Sequence, residues 1–242
     1  MVLTVEADNA PFSDVALPQG GMVVDIAKAA IAQSPSPLDV RLDWQKGGRE
    51  TATSFPLEAY LPTPAPECGG VGRTSALCAA RYYSDPLAEI VILLFVPVST
   101  SRTLEAPEAR AGLRLCYRAA LDVETGLEFR PRWLSEIGVE ALPAVSLTEC
   151  FRRLDAGEVD AVAADEFRGI LALFHLGLTD TVVPLSDPVG VEGLHVSVPK
   201  THWRATAQIY RLNAGLAALR RSGAYSEIVA RHTEAFWDRL KK

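Results

Sequence analysis

The sequence predicts an α/β protein with mainly parallel sheets and one inserted second lobe. Strand-like and helix-like stretches alternate along the whole chain, the order that lets helices cover a parallel sheet. The run Ile90-Val-Ile-Leu-Leu-Phe-Val96 is apolar without a break, as in a strand of a parallel sheet covered on both faces. Composition then changes from Pro97 to Pro107, where Ser, Thr and Pro cluster, and a second break, the turn Asp187-Pro-Val-Gly190, precedes the strand Leu194-His-Val-Ser-Val198. These breaks place the crossings between lobes, giving residues 1–97 plus 194–242 as lobe 1 and 98–193 as lobe 2.

Taken in order, Leu3 to Ala7 alternates as a strand, and Met22, Ile26, Ala29 and Ala30 recur at helical spacing until Ser34-Pro35-Ser36-Pro37 stops the helix. Leu38 to Trp44 alternates apolar with charged residues as a second strand. Phe55 to Leu61 gives at most a short helix, and Pro62-Thr-Pro64-Ala-Pro66 reads as a rigid surface connection. Gly69-Gly-Val-Gly-Arg-Thr74 opens a turn before the apolar run.

Beyond the first crossing, Gly112-Leu-Arg-Leu-Cys-Tyr117 starts a strand. Ser146-Leu-Thr-Glu149 is a capping box, in which two side chains satisfy backbone donors that a helix start leaves free. The helix it opens buries Leu147, Cys150, Phe151 and Leu154 and ends at Gly157, after which Val159 to Ala163 returns as a strand. Phe167, Ile170, Leu171 and Phe174 mark another helix, and Thr181 to Leu185 another strand. Ala205, Ile209, Leu212, Leu216 and Leu219 form an apolar stripe that Ser222-Gly223 separates from a last helix carrying Tyr225, Ile228 and Val229.

With 242 residues, 48% of them hydrophobic, the chain can bury a sizeable core. A net charge of −6 with scattered Lys and Arg leaves no basic stripe for a phosphate backbone, so nucleic acid is not an expected partner. The longest apolar run is far short of the roughly 20 residues of a spanning helix, so no membrane insertion is expected. The start, Met-Val-Leu-Thr, shows no basic segment followed by an apolar one, and reads as a mature form lacking its signal peptide.

Cys68, Cys78, Cys116 and Cys150 form no Cys-x-x-Cys pair, and His175, His195, His202 and His232 are scattered, so neither a metal nor a cofactor is expected. Free buried thiols and disulfides, Cys68 with Cys78 among them, both stay open. The chain also lacks the Gly-x-Ser-x-Gly elbow, the His-Glu-x-x-His pair and a dinucleotide fingerprint, and catalysis is not expected.

Five blocks carry a family resemblance. Ala10-Pro11-Phe12-Ser13 followed by Gly21-Met-Val-Val-Asp25-Ile-Ala-Lys28 resembles the opening of the family 3 extracellular solute-binding proteins. Thr74-Ser75, then Tyr83-Ser84-Asp85-Pro86-Leu87, is similar to that family's stretch leading into the hinge. The segment from Leu154 through Gly157 and Asp160 to Asp165 looks like part of its second lobe, and Leu212-Asn213 with Gly223-Ala-Tyr225-Ser-Glu-Ile228 like its closing helix pair. The resemblance implies a type II periplasmic binding protein: two α/β lobes, two hinge strands, and a solute trapped between them.

It also implies site residues. Asp165 matches the carboxylate that accepts a ligand ammonium, and capping the helix that starts at Glu166 is its other open role. The position of the carboxylate-binding Arg falls on Leu77, which cannot fork onto a carboxylate, leaving Arg73, with Thr74 beside it, to reach the site or a ligand without that group. Asn9 stands where an aromatic often covers the ligand, with Asp8 and Phe12 beside it. Arg118 lies at a strand end where relatives carry an anion-binding turn.

The expected function is capture of a small polar solute, an amine or amino acid-like molecule, by a monomer in the periplasm and delivery to an ABC transporter permease. The alternative keeps the fold without the ligand: a periplasmic partner of a quinoprotein dehydrogenase.

Overall fold

The computed structural model describes residues 1–45, 59–66, 76–121, 128–129, 131 and 133–241. It divides into two compact units, the first holding Met1–Glu89 and Gly193–Lys242, the second Ile90–Leu121 and Glu128–Glu192.

In the first unit β1 (Val2–Glu6) leads into α1 (Met22–Ala32), followed by β2 (Arg41–Gln45) and β3 (Ala59–Pro64). β1 lies between β2 and β3 and is parallel to both. Its Leu3 and Val5, and Val23, Ile26 and Ala27 of α1, are fully buried, so the period-2 stripe of the strand meets the 3.6-residue stripe of the helix. Gly21 has φ +99°, and a Cβ there would lie 2.6 Å from the Phe12 carbonyl oxygen, so the turn into α1 accepts only glycine without rearrangement.

The proline run read as a surface connection is in fact strand β3. Pro62 and Pro64 lie in it, and Tyr60 and Leu61 are buried. Register explains how proline is tolerated there. On the side away from β1, β3 pairs with a later antiparallel strand at Tyr60↔Ser197 and Thr63↔His195, with a shift between those pairs, and Pro62 falls in that irregularity where no ladder donor is required.

Next come α2 (Ala76–Ala80), β4 (Arg81–Tyr83) and β5 (Ala88–Pro97); the unit boundary falls within β5, after Glu89. The reading of this strand as part of a parallel sheet is corrected by two of its neighbours in the second unit, β10 (Ala161–Asp165) and β11 (Val182–Pro184), both of which run antiparallel to it. Nor is it covered along its whole length: Val91 is exposed, and only Leu94 to Val96 are buried in succession.

The second unit continues with α3 (Val98–Leu104), β6 (Arg114–Arg118), the ribbon of β7 (Ala120–Leu121) and β8 (Glu128–Phe129), α4 (Trp133–Glu136), β9 (Glu140–Ala144), α5 (Leu147–Asp155), β10 (Ala161–Asp165), α6 (Glu166–Leu176) and β11 (Val182–Pro184). β6 is parallel to β9 and β10, and β5 is antiparallel to β10 and β11. Most of the segment from Pro97 to Pro107 is taken up by α3, and a 3-10 turn, Pro107–Arg110, follows it. Buried Arg110 fixes that turn, donating to the Leu104 and Glu105 carbonyls and to Asp187.

Phe95, Cys116, Phe151, Leu154, Val162 and Leu173 build the core of this unit, with the Phe95 and Phe151 rings edge-to-face at 5.5 Å. Cys116 of β6 and Cys150 of α5 are joined by a disulfide inside it. Ser146 caps α5, its hydroxyl accepting the Glu149 N–H at 3.1 Å, and the Glu149 carboxylate accepts from the N–H of Val145.

β12 (Gly190–Pro199) passes the unit boundary after Glu192 and, back in the first unit, pairs antiparallel with β3 and β4. The chain ends in α7 (Ala205–Arg221) and α8 (Ala224–Leu240), with Leu212, Leu216 and Leu219 buried on the stripe expected from the sequence. Among the described residues no helix is long and apolar enough to cross a membrane.

Candidate functional site

In the first unit the candidate residues lie in the turn after β1. Asp8 is exposed and takes a left-handed backbone (φ +59°), a conformation in which Asp is enriched. Asn9 is buried: its N–H donates to Ser13 O at 2.9 Å, its carbonyl accepts from Phe12 and Ser13, and its side-chain amide donates to Glu6. Phe12 is 1% exposed and belongs to the core. The carbonyls of Pro11 and Phe12 accept the N–H groups of Met22 and Val23, so this turn satisfies two of the donors that the start of α1 leaves free.

Leu77 is buried in α2, next to Cys78, whose carbonyl accepts from Lys200 Nζ at 2.7 Å. Cys78 is disulfide-bonded. Arg73, Thr74 and Cys68 lie outside the described residues.

In the second unit Arg118 is half-buried at the end of β6, opposite Ala144 of β9. Asp165 ends β10 and is 1% exposed. Its Oδ1 accepts the Arg168 N–H at 3.1 Å, the capping role open to it from sequence, and its Oδ2 accepts from the Arg168 guanidinium. Both oxygens are engaged by one residue of the same helix.

A group absent from the sequence reading lies near this pair. Trp133 of α4 is buried and packs on β12 at Gly190, where a Cβ would meet the indole at 2.6 Å. Side chains two apart on a strand share a face, so Glu192 stands on the side that Trp133 covers, and its Oε1 accepts the indole Nε1–H at 2.9 Å. Burial pushes the Glu192 carboxyl above the usual carboxylate range; the Trp133 bond and the Arg168 charge oppose that push, and the charge of Asp165 adds to it. The sequence signal for this arrangement is faint: a glycine two before an acid in a strand, with nothing to say that a tryptophan 59 residues away fills the gap.

In the first unit, burial holds His195 below the ordinary histidine value, and its Nδ1–H donates to the Ser84 carbonyl at 2.7 Å.

No protein-family description matches the chain, and no curated protein matches it in sequence. Solved structures do match. A mutant of ArgBP from T. maritima is 17% identical with a TM-score of 0.63, over 97% of this chain and 95% of that one. A histidine kinase sensor domain with similarity to periplasmic binding proteins is 16% identical with a TM-score of 0.64, over 96% and 94%. The amino acid ABC transporter substrate-binding protein AbpA from Streptococcus pneumoniae, bound to L-arginine, is 15% identical with a TM-score of 0.63, over 98% and 95%. At such identities the likeness shows the fold, and the fold is that of the type II periplasmic binding proteins.

Proposed function

We propose that the protein is a periplasmic solute-binding protein that captures a small polar solute, an amine or amino acid-like molecule, and passes it to an ABC importer. The observation that carries this reading is the fold shared along 97% of the chain with ArgBP from T. maritima, together with five sequence blocks in family order. The two units act as its lobes, with β5 and β12 as the hinge strands, and closure around the solute removes water from polar contacts only when a solute is present. The Cys116–Cys150 disulfide suits the oxidising compartment this role requires.

Ligand-dependent melting across amines, amino acids and organic acids tests the proposal. A solute at a hundred times its Kd stabilises the folded chain by about 2.7 kcal/mol. A flat response across all three classes counts against capture.

One observation favours the second reading, a ligand-free partner of a quinoprotein dehydrogenase. Leu77 is buried where the resemblance expects the carboxylate fork, and Asn9 is engaged within its own turn. Recovery of a dehydrogenase in a pull-down, with no melting response to any solute, selects it.

A further inference from the structure

The second unit has two carboxylates near one another, and they differ in what they have left to offer. Asp165 is closed off, since Arg168 fills one oxygen with its backbone N–H and the other with its guanidinium. Replacing those bonds with bonds to a ligand cation would break a helix cap and an ion pair together. Glu192 is half-buried and held by a single hydrogen bond, from the Trp133 indole to Oε1; Oε2 has no hydrogen bond among the described residues.

The surroundings of Glu192 are built. Only glycine at position 190 lets the indole lie against β12, and the indole N–H then fixes the carboxylate two residues along the same face. Trp133 on α4 is neutral; among the described residues the charges that act on Glu192 are those of Arg168 of α6 and Asp165 of β10, which form an ion pair with each other. Of the two carboxylates, Glu192 is the one with no ion pair among the described residues.

We propose that Glu192, positioned by Trp133, is the carboxylate of the second unit that meets the cationic group of the solute, an ammonium or guanidinium, in place of Asp165. This inference rests on the solute-capture reading and narrows its ligand class to cations. A charge-assisted bond to Oε2, the oxygen the indole does not engage, supplies the counterion. Because burial raises the Glu192 pKa, binding of a cation expels a proton, and affinity for it rises with pH until the carboxyl is ionised in the free protein.

The test is calorimetric titration of the whole chain with putrescine, agmatine, L-lysine and L-arginine as cationic probes and with succinate and L-asparagine as controls. The expected result is preferential binding of one or more cations, with affinity increasing as the pH rises above the ordinary carboxyl value of 4.5, and at least a tenfold loss in Glu192→Gln. The amide of that variant still accepts the indole N–H, and the pH profile of the unaltered chain reads the same linkage without any substitution.

A larger loss in Asp165→Asn than in Glu192→Gln overturns the assignment. So does binding confined to the controls, or binding of cations unaffected by Glu192→Gln or by pH; in these cases solute capture stands. No binding by any probe, with no melting response in the wider solute panel, removes solute capture and this inference with it.

Discussion

Asp165 holds Arg168 twice, through a helix cap on the backbone and an ion pair on the side chain, and it does so while 1% exposed. The two bonds lock the end of β10 to the first turn of α6. Asp165→Ala removes the cap and leaves a donor and a guanidinium without their acceptor, and an unfolding loss of about 1–3 kcal/mol is expected. Asp165→Asn keeps an oxygen for the cap and is expected to lose less. Urea denaturation of both variants measures the difference.

The Cys116–Cys150 disulfide closes a loop with a sequence separation of 34 and ties β6 to α5 within the core. By chain-entropy reasoning a loop of that size contributes about 3–4 kcal/mol. The double substitution of both cysteines by alanine is expected to lower the denaturation midpoint accordingly, and retention of full stability would show that the packing of Phe95 and Phe151 suffices.

Arg110 is buried and gives its guanidinium to two carbonyls and to Asp187. Alanine there leaves the Leu104 and Glu105 carbonyls without that donor, and a cost of about 2–3 kcal/mol is expected. Lysine recovers little, because a single ammonium cannot span the three acceptors in the same plane. A thermal melt of Arg110→Lys close to that of Arg110→Ala is the expected outcome.

Two buried titrating groups bend the pH profile of stability in opposite directions. His195 has a depressed pKa in the folded chain, so the unfolded chain takes up the proton first, and stability falls as pH drops through 6.5. Glu192 has a raised pKa, so the folded chain holds its proton longer, and stability rises as pH falls from that raised value toward 4.5. His195→Gln is expected to remove the first slope and expose the second; Glu192→Gln is expected to stabilise the chain at neutral pH. Denaturation midpoints across about pH 4.5 to 7.5 read both.

Much of the fold was legible in the residues. The stripe of Leu212, Leu216 and Leu219, the cap at Ser146 and the stop at Ser222-Gly223 fall where local spacing put them, because helix faces and caps depend on residues a few positions apart. Asp165 was legible in one of its two open roles, since capping is also local. The sequence could not show that Pro62 would sit in a strand or that β5 would run antiparallel to β10 and β11. Those outcomes depend on the register of β12 and the directions of β10 and β11, which no nearby residue encodes.

The sequence by itself determined the α/β class, the order of most elements and which faces of the helices are apolar, because periodicity is a property of neighbouring residues. Only the tertiary structure decided that Trp133 fills the space beside Gly190 and fixes Glu192, that Cys116 pairs with Cys150, and that Leu77 is buried. The first two are meetings of residues far apart in the chain, and the third depends on the packing around α2. Contacts of this kind are set by how packed elements fit together, and that fit is written in no single stretch of the chain.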